Sequence, residues 1–255
     1  MIRPPHDQTG APPETNGNVH SMPDSREIDQ EPGLAGDQPR RLHKAGRDEI
    51  PDVVIRRLPI YARALERLRE ESAGHVSSEE LGARIDVSAA QIRRDLAYFG
   101  DFGKQGKGYH VEFLLDQIRA ILQLHRTWNI ALVGVGDLGR ALVRYDGFRR
   151  NGFCITALFD HNPRKREQRI GDLVVEGMDA LPEVLAREGI EIALIAVPAA
   201  AAQEVADHLV QAGIRAILNY APTVVKAPRH VSIRHIDPVV ALQSMTYYLT
   251  PREEE

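Results

Sequence analysis

Between residues 129 and 160 the chain runs through an apolar segment, a glycine-rich turn, an amphipathic segment and a second apolar segment. Residues 130–133 are continuously apolar, as in a parallel strand buried on both faces. Gly134, Gly136 and Gly139 follow at G-x-G-x-x-G spacing, and a second strand ends at Asp160. This order predicts the first half of a doubly wound dinucleotide fold. In such a turn the first glycine allows the bend, the second lets backbone approach a pyrophosphate, and the third lets helix pack on sheet. Gly134, Val135, Gly136, Asp137, Leu138 and Gly139 are therefore candidate cofactor contacts, with the N–H groups of the following helix turned to the anion. Glycine turns also occur for purely structural reasons, so the context decides. Asp160 lies about twenty residues on, where an acidic side chain accepts a ribose 2′-OH. It would repel a 2′-phosphate, which favours NAD(H) over NADP(H). Arg164, Lys165 and Arg166 weaken that preference without reversing it.

Downstream, strand and helix patterns alternate. Strands are expected over 173–175, 191–197, 216–218 and 231–236, with helices from Asp179 and up to Ala212, giving about six strands in one sheet. Ligands bind beyond the carboxyl ends of such strands, which puts Val197, Pro198 and Asn219, with Tyr220, Ala221 and Pro222, at the mouth of the site. A last segment, 238–250, carries Val239, Leu242, Met245, Tyr248 and Leu249 on roughly one face. It packs either on its own sheet or on a second subunit.

Upstream, residues 1–48 hold seven of the sixteen prolines and few aliphatics, a composition that cannot bury a core and reads as a disordered tail. From Pro51 apolar residues recur at helical spacing, and Pro59 is expected to start a fresh helix that Gly74 ends. Ser77 to Glu80 and Ser88 to Gln91 read as two capping boxes, opening helices through Ile85 and Phe99. Two capped helices joined by a short turn fit a helix-turn-helix. Ile92, Leu96 and Phe99 share one face of the second, leaving Gln91, Arg93, Arg94 and Tyr98 turned elsewhere, residue types that read DNA grooves. A glycine-rich hairpin with Lys104, Lys107 and Tyr109 follows, shaped like a basic wing, and a helix over 113–124 links it to the glycine unit. The alternative is a solvated helical hairpin. Residues 49–123 carry eleven Lys/Arg against twelve Asp/Glu, so the segment is not basic overall.

The net charge of −4 likewise gives no global sign of nucleic acid. One cysteine, Cys154, excludes an intramolecular disulfide and sits in an expected buried strand. No apolar run reaches membrane-span length and no signal-peptide core opens the chain, so a cytoplasmic protein is expected. The ten histidines lack metal-ligand spacing and no His–carboxylate pair stands at a catalytic spacing. With 36 residues after Asn219 there is too little chain for a dehydrogenase substrate domain. No enzyme activity is expected. The competing reading is an enzyme subunit whose glycine turn binds CoA or NAD.

Taken together, the residues resemble the Rex redox-sensing transcriptional repressors of bacteria. The resemblance rests on Arg57-Leu-Pro-Ile-Tyr-Ala-Arg63, Ser77-Ser78-Glu-Glu-Leu81, Gln91-Ile-Arg-Arg-Asp-Leu-Ala-Tyr-Phe-Gly100, Gly106-Lys-Gly-Tyr109, Val133-Gly-Val-Gly-Asp-Leu-Gly139, Phe159-Asp160, Val197-Pro198, Ala202-Gln203 and Ile217-Leu-Asn-Tyr-Ala-Pro222. It implies an α/β chain in four parts: the tail 1–48, a winged helix at 49–123, a Rossmann NAD(H) domain at 124–236, and a C-terminal dimerisation helix and tail at 237–255. It further implies a homodimer that exchanges its C-terminal helix, binds a palindromic operator and releases it on binding NADH. Genes of NADH reoxidation, respiration and fermentation would be its targets. By match to the family motifs, Ser77 and Ser78 join the DNA-binding set, Tyr145 lies near the nicotinamide, and Arg63 and Asp237 form an inter-subunit ion pair. Two positions depart from the pattern: Pro238 stands where some members of the family have an aromatic residue, and Gln105 where a basic wing residue is frequent.

Overall fold

The structure, a computed structural model, describes residues 50–104 and 106–249. The expected tail and Gln105 lie outside the described residues, as does the side chain of Lys104. Helix α1 (Asp52–Glu70) leads, followed by strand β1 (His75–Val76), helices α2 (Ser78–Ile85) and α3 (Ala89–Ala97), strands β2 (Gly103–Lys104) and β3 (Gly108–His110), and helix α4 (Val111–Ile121). The three strands form a small antiparallel sheet in the order β1-β3-β2, completing a winged helix.

Helix α1 runs unbroken through Pro59, where a fresh helix was expected. Val54, Leu58, Tyr61, Leu65 and Leu68 are buried in one core, so a restart would have rotated half of them out of it. Pro59 is on the exposed side, where the carbonyl it leaves unpaired can meet water. The helix ends at Glu70, before Gly74, and the chain turns at Ser72 with φ +60°. The Ser77 box is complete: its side chain accepts the Glu80 N–H while the Glu80 carboxylate accepts the Ser77 N–H. Ser88 makes only half a box. Its hydroxyl accepts the Gln91 N–H, but the Gln91 amide turns to Asp95 instead.

The second part of the chain contains β4 (Trp128–Val133), α5 (Asp137–Val143), α6 (Gly147–Arg150), β5 (Phe153–Phe159), β6 (Arg169–Ile170), β7 (Leu173–Glu176), α7 (Leu181–Glu188), β8 (Ile192–Ile195), α8 (Ala199–Gln211), β9 (Ala216–Asn219) and β10 (Ser232–His235). The strands form one sheet in the order β10-β9-β8-β4-β5-β7-β6. The six expected strands are all present and parallel, and the seventh, β6, pairs antiparallel with β7 as an edge hairpin. Two residues are too few to carry a periodic signal, so β6 was not legible.

From β4 the chain moves outward through β5 to β7, then crosses back to β8 on the other side of β4. The strand order therefore reverses between β4 and β8, where doubly wound folds open a crevice. Helix α9 (Pro238–Thr246) and a 3-10 turn (Tyr247–Leu249) end the described chain. Val239, Val240, Leu242, Met245, Tyr247, Tyr248 and Leu249 are all exposed, so α9 does not pack on its own sheet.

Candidate functional sites: a glycine-turn crevice and a wing cleft

The crevice is built by close backbone approach. Gly134 has φ +97°, and a Cβ there would lie 2.5 Å from the Ala196 carbonyl oxygen and 2.7 Å from Val197 Cγ1, so glycine brings the β4 turn against the end of β8. A Cβ on Gly139 would run into the Gly134 carbonyl oxygen, which makes the third glycine a packing position. Gly136 differs from both. Its backbone is extended and, its chain neighbours and the backbone of its own helix aside, no described residue lies within 4 Å of where its Cβ would be. The space beside it is open, and α5 starts there without a side-chain cap, leaving backbone N–H groups for an anion. Asp137 and Leu138 are exposed at this mouth, whereas Val135 is buried and offers its N–H to Asp160.

Asp160 is only 2% exposed, which the sequence did not suggest. Oδ2 accepts the Val135 N–H at 2.9 Å and the Lys165 ammonium at 2.8 Å, while Oδ1 accepts the Asn162 N–H at 2.9 Å. Burial by itself would raise its pKa, but Lys165 and the two backbone donors outweigh burial and hold the carboxyl below the usual carboxylate range. Asp160 thus pins the glycine turn to the end of β5. Lys165 occupies a place on this carboxylate that a ribose hydroxyl would need.

Across the crevice Val197 is buried and Pro198 exposed. Asn219 does not face the mouth: fully buried, it accepts the Ala221 N–H and donates to the Ala221 and Thr223 carbonyls, holding the turn after β9. Tyr145 is 61% exposed, stacked edge-on against Phe148 at 5.3 Å and lying over Gly147, where a Cβ would strike its ring. Burial raises the Tyr220 hydroxyl pKa, with Tyr145 adding to the effect, so the two phenols share one corner.

The second site lies between α2, α3 and the wing, a cleft of about 680 Å³ lined among others by Ser77, Ser78, Arg93, Lys107 and Tyr109. Arg94 is exposed on α3. Arg93 is exposed too but folded back, donating to Ser78 Oγ at 2.6 Å and Glu79 Oε1 at 3.0 Å. Ser77 serves as the cap of α2, and Ser78 is buried beneath Arg93. Two expected DNA contacts are displaced inward. Tyr98 packs against the core, and Tyr109 is 8% exposed because its ring fills the space beside Gly103.

The sequence reading missed Asp95. This fully buried carboxylate receives both arms of Arg57, at 2.5 and 2.8 Å, the Tyr61 hydroxyl at 2.6 Å and the Gln91 amide at 2.7 Å. The signal was the acid at helical spacing between Ile92 and Leu96, on the apolar face itself. Among the described residues Arg63 and Asp237 are not paired with each other. Arg63 lines an exposed groove with Ile60, Arg67 and Arg84, and Asp237 caps α9 by accepting the Val239 N–H. No described helix is long and apolar enough to cross a membrane.

Comparison with known proteins agrees with this geometry. A family model described as a CoA binding domain matches residues 125–223, and one described as a putative DNA-binding protein N-terminus matches 49–97. A redox-sensing transcriptional repressor Rex from Chloroflexus aurantiacus is 59% identical over 208 residues, 82% of this chain and 98% of the relative. The protein of the same name from Brevibacillus brevis is 45% identical over 206 residues, 81% of this chain and 100% of the relative. Among solved structures, RSP in complex with β-NAD+ and operator DNA is 40% identical, covers 78% of this chain and 92% of its own, and superposes with a TM-score of 0.74. RSP in complex with β-NADH is 37% identical over 79% of this chain and 94% of its own, with a TM-score of 0.70.

Proposed function

The chain belongs to the Rex family of redox-sensing transcriptional repressors, and from that membership we propose that it couples occupancy of the glycine-turn crevice to release of operator DNA from the wing cleft. It is a regulator and not an enzyme. Its ligand is NAD(H), in keeping with the NAD+ and NADH complexes of its structural relative. The observation that carries the reading is the contrast within one turn: Gly134 and Gly139 are crowded by protein, while Gly136 faces open space of the kind a pyrophosphate needs. The CoA-enzyme alternative is not favoured, since the same chain devotes a whole winged helix to a cleft for nucleic acid.

The residues divide the work as follows. Gly136 admits the pyrophosphate, and Val135, Gly134 and Gly139 hold the turn. Asp160 takes the adenosine ribose once a hydroxyl displaces Lys165. Val197 and Pro198 wall the crevice, and exposed Tyr145 is assigned to the nicotinamide, since a flat cationic ring and a reduced neutral ring would interact differently with its π face. Arg94 and a released Arg93 read bases, and Lys107 contacts phosphate. We assign the winged helix to 49–123, the nucleotide unit to 124–236, and the C-terminal dimerisation helix with its tail to 237–255.

A homodimer completes the device. Helix α9 is apolar on more than one face and exposed along its length, which suits enclosure by a partner subunit rather than lying on one sheet. Two-fold symmetry presents two recognition helices to a palindrome. Arg63 of one subunit then pairs with the partner's Asp237 in the NADH-bound arrangement only, so that NADH and DNA select different states. The protein acts in the cytoplasm, on genes of NADH reoxidation, respiration and fermentation.

The test is a mobility shift on a duplex that the wild-type protein selects from a random-sequence library. NADH should abolish the shift at concentrations where NAD+ does little, and the duplex should weaken NADH binding by the same factor. Equal responses to the two nucleotides would refute redox sensing.

A further inference from the structure

Among the described residues Asp95 is the most buried charge of the winged helix, and the roles proposed for Arg93, Arg94 and Lys107 do not use it. It sits on α3, one turn after Gln91 and directly after Arg94. The apolar residues Ile92, Leu96 and Phe99 hold one face of α3 to the core, but apolar contact is non-directional and leaves room for small rotations about the helix axis. The Arg57 fork does not. Its Nε donates to Oδ2 and its Nη2 to Oδ1, which fixes the plane of the carboxylate relative to α1. The Tyr61 hydroxyl, also on α1, adds a third bond to Oδ2. The fourth partner is Gln91, whose Nε2 donates to Oδ1 at 2.7 Å. One amide hydrogen is thereby committed inward, which leaves the other hydrogen and the carbonyl oxygen in a set orientation outside.

We infer that Asp95 is a positioning residue for sequence reading: held by Arg57 and Tyr61 of α1, it sets the rotation of α3 and orients the Gln91 amide towards a base edge. The inference rests on the reading of α3 as the recognition helix. Bidentate recognition of a base depends on direction, whereas attraction to phosphate does not. Loss of the network therefore costs discrimination between sequences and spares general affinity for DNA. A merely structural role predicts something else: lower melting temperature, with selected and scrambled duplexes losing affinity in parallel.

The experiment measures anisotropy with the duplex selected by the wild-type protein and with a scrambled duplex, alongside thermal melting and NADH titration of the full chain. Asp95→Asn keeps the shape and removes the charge. It should lower the ratio of selected to scrambled affinity at least tenfold, with scrambled affinity within twofold of wild type and NADH affinity unchanged. Arg57→Lys keeps the charge but not the fork, and should lose selectivity as well. Tyr61→Phe deletes one hydrogen bond that faces away from DNA, and should lower the ratio about threefold. It decides the matter alone if Asp95→Asn does not fold. A folded Asp95→Asn or Tyr61→Phe protein with the wild-type ratio overturns the assignment. Arg94→Ala is the control: if it still discriminates, α3 is not the reader and the assignment falls with it. If Arg94→Ala loses discrimination while the network variants keep it, only the role of Asp95 is refuted.

Discussion

The same small substitution should have opposite consequences at two glycines of one turn. At Gly134, alanine must adopt φ +97°, which costs on the order of 1–2 kcal/mol for a residue with a Cβ. Its Cβ also meets the Ala196 carbonyl oxygen at 2.5 Å and the Ala196 carbonyl carbon at 2.7 Å. These belong to backbone hydrogen-bonded to β4 through the Ala196 N–H and cannot swing aside, so overpacking adds roughly 1–3 kcal/mol. The total is about 2–5 kcal/mol. At about 2–4 °C per kcal/mol for a chain of this size, Gly134→Ala should melt about 10 °C lower than wild type. Gly136 is extended and its Cβ position is empty, so alanine there should leave stability unchanged or raise it by up to about 1 kcal/mol. Yet its methyl group stands in the space assigned to the pyrophosphate and should weaken NADH binding by about 2–3 kcal/mol, roughly a hundredfold in Kd. Differential scanning fluorimetry and NADH fluorescence titration check both. A Gly136→Ala protein that binds NADH like the parent, or that melts as low as Gly134→Ala, would refute the division of the turn into structural and ligand-facing glycines.

Removing the ammonium from Asp160 with Lys165→Met should destabilise the protein by about 1–2 kcal/mol, moderated because Lys165 is partly exposed, as read by urea unfolding. Asp95 and Asp160 both have depressed pKa values, so in the acid range the unfolded chain binds protons that the folded chain does not; their stabilisation is complete above the ordinary carboxylate range and is lost as pH falls below it, through the depressed folded-state values. Unfolding series from neutral to acid pH should show that slope, and Asp95→Asn should flatten it. Arg63→Ala and Asp237→Ala should each require more NADH to release DNA, and the double variant no more than either alone; single variants that titrate like wild type would place the coupling elsewhere. Leu242→Asp should convert a dimer to monomers in sedimentation velocity, since it puts a charge into the face assigned to the partner.

The architecture was legible because periodicity and punctuation are local. The apolar run before Gly134, the glycine spacing and the alternation after Asp160 predict the parallel sheet and its crevice, and the Ser77 box predicts α2. Pro59 misled the reading for the converse reason. A proline signals a helix start by itself, but the shared core beneath Val54, Leu58, Tyr61 and Leu65 kept α1 whole.

What the sequence determined by itself was which residues sit at turns, caps and strand ends, since backbone geometry and solvent exclusion act over a few neighbouring positions. Only the tertiary structure decided what each polar side chain faces. Asp160 and Asn219 look alike in the sequence as polar groups ending strands, yet one clamps the glycine turn against Lys165 and the other spends its amide on its own loop. Arg93 and Arg94 are neighbours, yet one is folded onto Glu79. Asp95 finds Arg57 across 38 residues of chain. A buried charge takes whichever partner the packed helices bring within hydrogen-bond reach, because leaving it unpaired costs several kcal/mol, and that meeting is written in the fold rather than in any local stretch of residues.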